Sequence, residues 1–158
     1  MSGSNSQHVA ALQYLREHNV LSLATSVNDV PWVAPVFYAW HAAALYFLSA
    51  PHTRHCQNLA ANPQIAGSIQ EDYNTWTEIK GLQLAGRGVL LAGDEREHAI
   101  GIYQRKFNLN ADTAPEQILR ALDKVSWYRF DLQQLLFVDN SVSFGHRAEI
   151  DCTALADA

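Results

Sequence analysis

Cysteine is nearly absent from this chain, Cys56 and Cys152 being its only two. That rules out a disulfide framework and a four-cysteine zinc site, and both residues are expected to be free thiols. Lysine is scarce as well: three lysines and eight arginines are scattered along the sequence, and the formal net charge is −5. Without a basic stripe to follow a phosphodiester backbone, nucleic acid is not an expected partner. No run approaches the ~20 apolar residues that a membrane-spanning helix needs. The opening MSGSNSQ has neither the basic start nor the apolar stretch of a secretory signal. A soluble, cytoplasmic protein with no membrane partner is therefore expected. Familiar catalytic sets are missing too: no Ser-His-Asp arrangement or carboxylate pair stands out, and Gly86-x-Gly88 has no phosphate-loop lysine beside it.

What the chain does contain is material for one core. Its 158 residues are 48% apolar and 17% charged, a globular balance, and a chain of this size buries about 70% of the surface its unfolded form exposes. The expected organisation is a flexible tail over 1–8, a single domain over 9–147 and a C-terminal tail over 148–158. Apolar residues at 9, 12 and 15 space an amphipathic helix that stops at Asn19. Val20 to Val27 and Trp32 to Trp40 read as strands joined by an Asn28-Asp29 turn, and Gln64 to Gln70 as another strand. Thr77 to Leu91 contains Gly81, Gly86 and Gly88, which suggests a curved strand pair with a bulge or a barrel corner. Helices are expected over Asp94 to Phe107, with Asp94 as cap, and over Pro115 to Leu122. Val125 to Val138 returns to strand, interrupted near Gln133-Gln134. About six strands with helices inserted late predict a mainly β (α+β) closed barrel.

The most informative stretch runs from Ala43 to Pro63. Leu45 to Leu48 is an apolar run too short for a helix, and Ser49, Ala50 and Pro51 end it before a helix starts near His52 or Thr53. The unpaired amides and dipole of that helix start would meet the hydroxyls of Ser49 and Thr53 and the planar fork of Arg54, which is the chemistry of a phosphate site. The plainer alternative is that Thr53 is an N-cap and Arg54 a solvated helix residue. His52, His55 and Cys56, at i, i+3 and i+4, share one helix face and offer soft ligands. A zinc site needs three or four, however, and no further cluster is evident, so no metal is expected. In GLQLAG, Gly81, Gln83 and Ala85 share one strand face. A single amide among small neighbours suits a flat ligand, or else an exposed polar position. Trp32, Trp40, Trp76 and Trp127 are expected to serve packing or an interface more than a ligand.

Ser49 to Pro63 resembles the flavin-phosphate motif of the pyridoxamine 5'-phosphate oxidase family. There a strand ends at Tyr-Thr-Asn, Ser-Arg-Lys opens the next helix, and Asn-Pro closes it. The matching positions are Leu48, Ser49 and Ala50, then Thr53, Arg54 and His55, then Asn62 and Pro63. The arginine is kept and the lysine has become His55. Tyr103, Arg105, Lys106 and Phe107 resemble the end of the family's late helix. Phe137 to Arg147, FVDNSVSFGHR, is similar to the closing segment of short bacterial members.

The resemblance implies a split β-barrel with peripheral helices that binds FMN. Ser49, Thr53, Arg54 and His55 would hold the phosphate, backbone groups at Ala34, Pro35 and Val36 would border the ring, and Gln83 would hydrogen-bond it. A flavin across the mouth of a small barrel needs a second wall, so a homodimer with the cofactor near its interface is expected, with Trp32 and Phe37 among the contacts. The family's basic positions on the second strand fall here on Ala34 and Ala39, and its Arg-x-His pair is replaced by His146-Arg147. Pyridoxamine phosphate is therefore not the expected substrate. The expected function is that of a flavin-dependent oxidoreductase acting on an unknown small molecule. The alternatives are a non-catalytic flavin-binding or sensing protein and a haem-binding split barrel.

Overall fold

The computed structural model describes residues 2–109 and 114–155. Helix α1 (Ser2–Glu17) leads into β1 (Val20–Val27), β2 (Val30–His41) and β3 (Ala44–Ser49), followed by α2 (Arg54–Ala61), β4 (Gln64–Gln70) and β5 (Lys80–Leu90). Helices α3 (Gly93–Phe107) and α4 (Glu116–Leu122), strand β6 (Ser126–Asp139) and the short β7 (Arg147–Glu149) complete the order. All pairings are antiparallel, in the order β3-β2-β1-β4-β5-β6-β7, and β3 also pairs with β6. That pairing closes six strands into a barrel and leaves β7 hanging from the far end of β6. Among the described residues no helix is long and apolar enough to cross a membrane.

Local chemistry accounts for the corners. Asn28 and Asp29 both have positive φ, 51° and 61°, the backbone of a two-residue type I′ hairpin whose twist matches its strands. At the glycine-rich stretch the expected strand pair is instead one strand, β5, whose ladder with β6 shifts register between Ala85 and Gly86 and leaves Gln133 as the extra residue. The interruption expected near Gln133-Gln134 is this bulge. A side chain at Gly86 would lie 2.0 Å from the Asp131 carbonyl oxygen, so only glycine lets the two backbones approach this closely.

Two apolar clusters divide the interior. The barrel lumen, with Leu21, Leu23, Phe47, Phe130 and Phe137, packs against α1 through Leu15 and against α2 through Cys56 and Leu59. The second cluster lies outside β2, β3 and β6, where Tyr46 and Trp127 meet Ala99, Ile102 and Tyr103 of α3 and Leu122 of α4. Each fully buried large side chain stabilises the fold by roughly 1.5 to 3 kcal/mol.

Three expectations change. The first helix begins at Ser2 and so includes most of the segment read as a tail; residue 1 lies outside the described residues. Residues 148–155 are no free tail either. Ile150 and Leu155 are buried in the main cluster, because β7 directs the chain back across the lumen end. Residues 156–158 lie outside the described residues. The third helix starts at Gly93 with Ala92 at the cap position, so Asp94 sits in the first turn, where its charge still favours the dipole.

Gly86→Ala is expected to cost at least about 2 kcal/mol, because the opposing atoms are backbone and cannot rotate away. Gly101→Ala in α3, where the nearest atom is the flexible end of Arg105 at 3.6 Å, should instead stabilise by up to about 1 kcal/mol through helix propensity. Urea unfolding of the two variants checks both signs.

Candidate functional site

The barrel is split at one corner. β3 pairs with β2 only from Tyr38↔Phe47 to His41↔Ala44, whereas its pairing with β6 continues to Ser49↔Ser126. Residues 30–37 of β2 thus continue along β1 without β3 beside them. The Tyr38 amide donates to the Asn19 carbonyl, 3.0 Å. Antiparallel alternation then directs the backbone groups of Val36 and Ala34 toward β1 and those of Pro35, Val33 and Pro31 toward the gap. Pro31 and Pro35 therefore sit where a missing amide costs no ladder bond. Of the three backbone positions expected to border a ring, only Pro35 turns its carbonyl to the gap. The side chains of Ala34 and Val36 are buried in the lumen.

Helix α2 begins beside this gap. Its first internal hydrogen bond runs from the Gln57 amide to the Thr53 carbonyl, 3.0 Å, so the amides of Arg54, His55 and Cys56 have no intrahelical acceptor. Thr53 occupies the cap position with extended backbone, yet its side chain does not cap. Its hydroxyl donates to the Ala50 carbonyl at 2.9 Å instead. The plain N-cap reading of Thr53 is thereby corrected. The residue closes the turn and leaves the helix amides open.

Three of the expected phosphate groups meet there. His55 Nε2 lies 2.6 Å from Ser49 Oγ and 3.2 Å from Thr53 Oγ1, and the two hydroxyls are 3.3 Å apart. With the Thr53 proton committed to Ala50, the Ser49 hydroxyl is the donor available to Thr53 Oγ1, and the three side chains form one hydrogen-bonded cluster. His55 is 8% exposed, and burial lowers its pKa below the ordinary histidine value. It is therefore a neutral hydrogen-bonding hub near pH 7 and not a substitute cation for lysine.

Arg54 is exposed and stacks its guanidinium 4.4 Å from the centre of the Trp32 ring. No carboxylate among the described residues pairs with it. Sequence reasoning missed what fixes this corner. Asn58 is buried and donates to Thr25 Oγ1 at 3.0 Å, and Asn62 donates to the Ser26 carbonyl at 3.0 Å, so both pin α2 to β1. An asparagine inside the helix and another at its C-cap, four residues apart, were the available signal.

Gln83 lies elsewhere. It is exposed on the outer face of β5, in a row that runs Pro35, Ser22, Ser68, Gln83 across β2, β1, β4 and β5. Three strand spacings of about 4.8 Å put it roughly 14 Å from Pro35. Within one chain the structure does not bring it to the phosphate cluster. Nor do His52, His55 and Cys56 form a metal group: His52 is exposed, Cys56 faces the core, and no cluster of three potential ligands occurs among the described residues.

A profile of the pyridoxamine 5'-phosphate oxidase family matches residues 8–139. The chain belongs to that family. It is 30% identical over 137 residues to a UPF0306 protein of Photorhabdus laumondii, covering 85% of this chain and 89% of the relative. Among solved structures, a heme binding protein from Mycobacterium smegmatis superposes with a TM-score of 0.72 at 22% identity, covering 94% of this chain and 60% of that one. An FAD-binding protein from Mesorhizobium loti superposes at 0.60 with 22% identity, covering 80% and 90%. At such identities the likeness is one of fold, and the fold is the split barrel.

A histidine held neutral by burial destabilises the folded protein as pH falls from its unfolded value near 6.5 toward its lower folded value, where the unfolded chain binds more protons. Above that window the effect vanishes. The stability of wild type should therefore decline as the pH falls below about 6.5 more steeply than that of His55→Gln, as read by urea titration at each pH.

Proposed function

We propose that this family member holds the phosphate of FMN at the start of α2 and uses the flavin for a two-electron reaction on a small apolar molecule. The observation that carries this reading is the uncapped helix start. Three amides are left open while the Thr53 hydroxyl is turned away, and the Ser49 hydroxyl and Arg54, stacked on Trp32 with no carboxylate partner among the described residues, stand beside them. These residues fit a phosphate dianion. Arg54 supplies charge, Ser49 and the amides supply direction, and His55 holds Ser49 in place. A bound flavin would supply hydride acceptance and donation at its ring. The chain's own task is to orient it and exclude water.

The departure from pyridoxamine phosphate is supported by what stands beside the gap. Ala39 is buried beneath α3, and a cavity of about 420 Å³ is lined by Phe37, Leu48, Tyr103, Phe107 and Leu122 with no charged group. Such walls favour an uncharged, flat or aliphatic substrate.

The site is completed by a second copy of the chain. Apart from the end of β2 that α3 covers at Phe37 and Ala39, the outer face of β1, β2, β4 and β5 is largely exposed or half-exposed. It presents small and apolar residues, Val33, Pro35, Ala24, Ala66 and Ala85, around Gln83. A self-complementary two-fold contact on this face would cover it and bring the partner's Gln83 side to the pocket.

Arg54→Ala should weaken FMN by about 10 to 150 fold, the equivalent of one or two lost charge-assisted hydrogen bonds, while riboflavin binding stays unchanged. Fluorescence titration of both ligands checks this. Equal FMN affinity in the mutant would move the phosphate elsewhere. An intense Soret band in the purified protein, in place of the flavin bands near about 370 and 450 nm, would favour the haem alternative. Val33→Asp should reduce the mass by light scattering from twice 17.6 kDa to that of one chain and weaken FMN with it.

A further inference from the structure

A second cationic cavity lies at the other end of β2. Its volume is about 330 Å³, and it is lined by Arg16 of α1, Trp40 and His41 of β2, and Ile102, Arg105 and Lys106 of α3. Trp40 is eight residues from Trp32, so along the strand the two sites are about 27 Å apart.

Among the described residues, three cations converge here without a carboxylate partner. Neither Arg16 nor Arg105 pairs with a carboxylate among the described residues. Glu17, next to Arg16, is engaged by Gln13. Arg16 holds its guanidinium 5.0 Å from the centre of the Trp40 ring, which it partly covers. The amine of Lys106 donates to the His18 carbonyl and lies 4.2 Å from the Tyr38 ring centre, and burial pushes its pKa down to about 8. The indole Nε1–H of Trp40 is buried and has no acceptor among the described residues. A buried donor without a partner is uncommon in a folded protein, and the residue that carries it lines a cavity whose described charged groups all have one sign. Neighbouring cations repel, and an oxyanion relieves that repulsion as it fills the unused donors.

We propose that this cavity is a binding site for a small oxyanion-bearing molecule, a phosphate ester or a polycarboxylate, gripped by Arg16, Arg105 and Lys106 beside the Trp40 ring. The volume suits a ligand of a few carbons and one or two anionic groups. Arg105 and Arg16 provide planar forks for two oxygens each, and the adjacent Trp40 ring reports their occupancy. Occupancy ties α1 to α3 across the barrel end, so binding should raise the melting temperature of the whole domain.

The test uses the four tryptophans of the full chain as reporters, with Trp40 assigned by Trp40→Phe in the ¹⁵N–¹H spectrum. Inorganic phosphate and citrate are titrated separately to about 10 mM, the weak end of useful affinity, against sodium chloride at matched ionic strength. The expected result is a saturable shift of the Trp40 indole with one or both oxyanions. The Trp127 indole, which faces the Leu122 carbonyl, should stay still. A lower dissociation constant for phosphate assigns the site to phosphate esters, and a lower one for citrate to polycarboxylates. Arg105→Gln, a change at an exposed position, and Arg16→Gln should each weaken binding by about tenfold or more. Arg54→Ala should leave the Trp40 titration unchanged. No saturable shift of the Trp40 indole, a shift that sodium chloride reproduces, or folded arginine variants that titrate like wild type would each overturn the proposal.

Discussion

The divided pairing of β3 governs this molecule. Its first four residues serve β2 and β6 together, and its last two, Leu48 and Ser49, serve β6 alone. Closure of the barrel and opening of the gap are consequences of the same geometry. β3 follows β6 around the barrel while β2 keeps company with β1, and the chain leaving β3 at Ser49 must turn into α2 beside the unpaired edge. Leu48 then lines the apolar cavity outside the barrel, and Ser49 faces the helix start. One strand end therefore supplies a wall to each half of the proposed pocket.

Magnitudes decide how Arg54 behaves at that corner. Its stacking on Trp32 is at an exposed site, where a cation–π contact is worth only about 0.5 to 1 kcal/mol. Charge-assisted hydrogen bonds to an anion are worth roughly 1.5 to 3 kcal/mol. An arriving phosphate should win the guanidinium, while the ring keeps the side chain near the helix start in the meantime and reduces the order lost on binding. The helix dipole alone contributes only about 0.3 to 1 kcal/mol near a surface. On the proposed reading the open amides would give direction more than affinity, and the arginine would supply most of the binding strength. Buried and neutral, His55 adds alignment of Ser49 and no charge.

Much of this was legible in the sequence because local signals and tertiary needs agreed. Val20 to Val27 and Gln64 to Gln70 are strands with the bounds their patterns suggest, and the Thr53 helix start and the break near Gln133 are where turn chemistry and glycine content put them. What escaped depends on contacts distant in sequence. Residues 148–155 have only Ile150 and Leu155 to mark them, and these become core residues only because β6 extends far enough to pair with β7. Asn58 reads as an ordinary polar helix position and Asn62 as the end of the helix until β1 brings Thr25 and Ser26 beneath them. The family resemblance named Gln83 as a ligand residue, yet alternation on β5 turns it to the outer face, so a role for it at the proposed pocket would need a second copy of the chain.

The central claim is that the uncapped start of α2 receives the flavin phosphate, and the most direct measurement is of its amides. In ¹⁵N–¹H spectra, the resonances of Arg54, His55 and Cys56 should move strongly downfield on saturation with FMN, as amides do when they donate to an oxyanion, and should barely move with riboflavin. If the same three amides respond alike to both ligands, or to neither while FMN is bound, the phosphate is held somewhere else and the account of this corner is wrong.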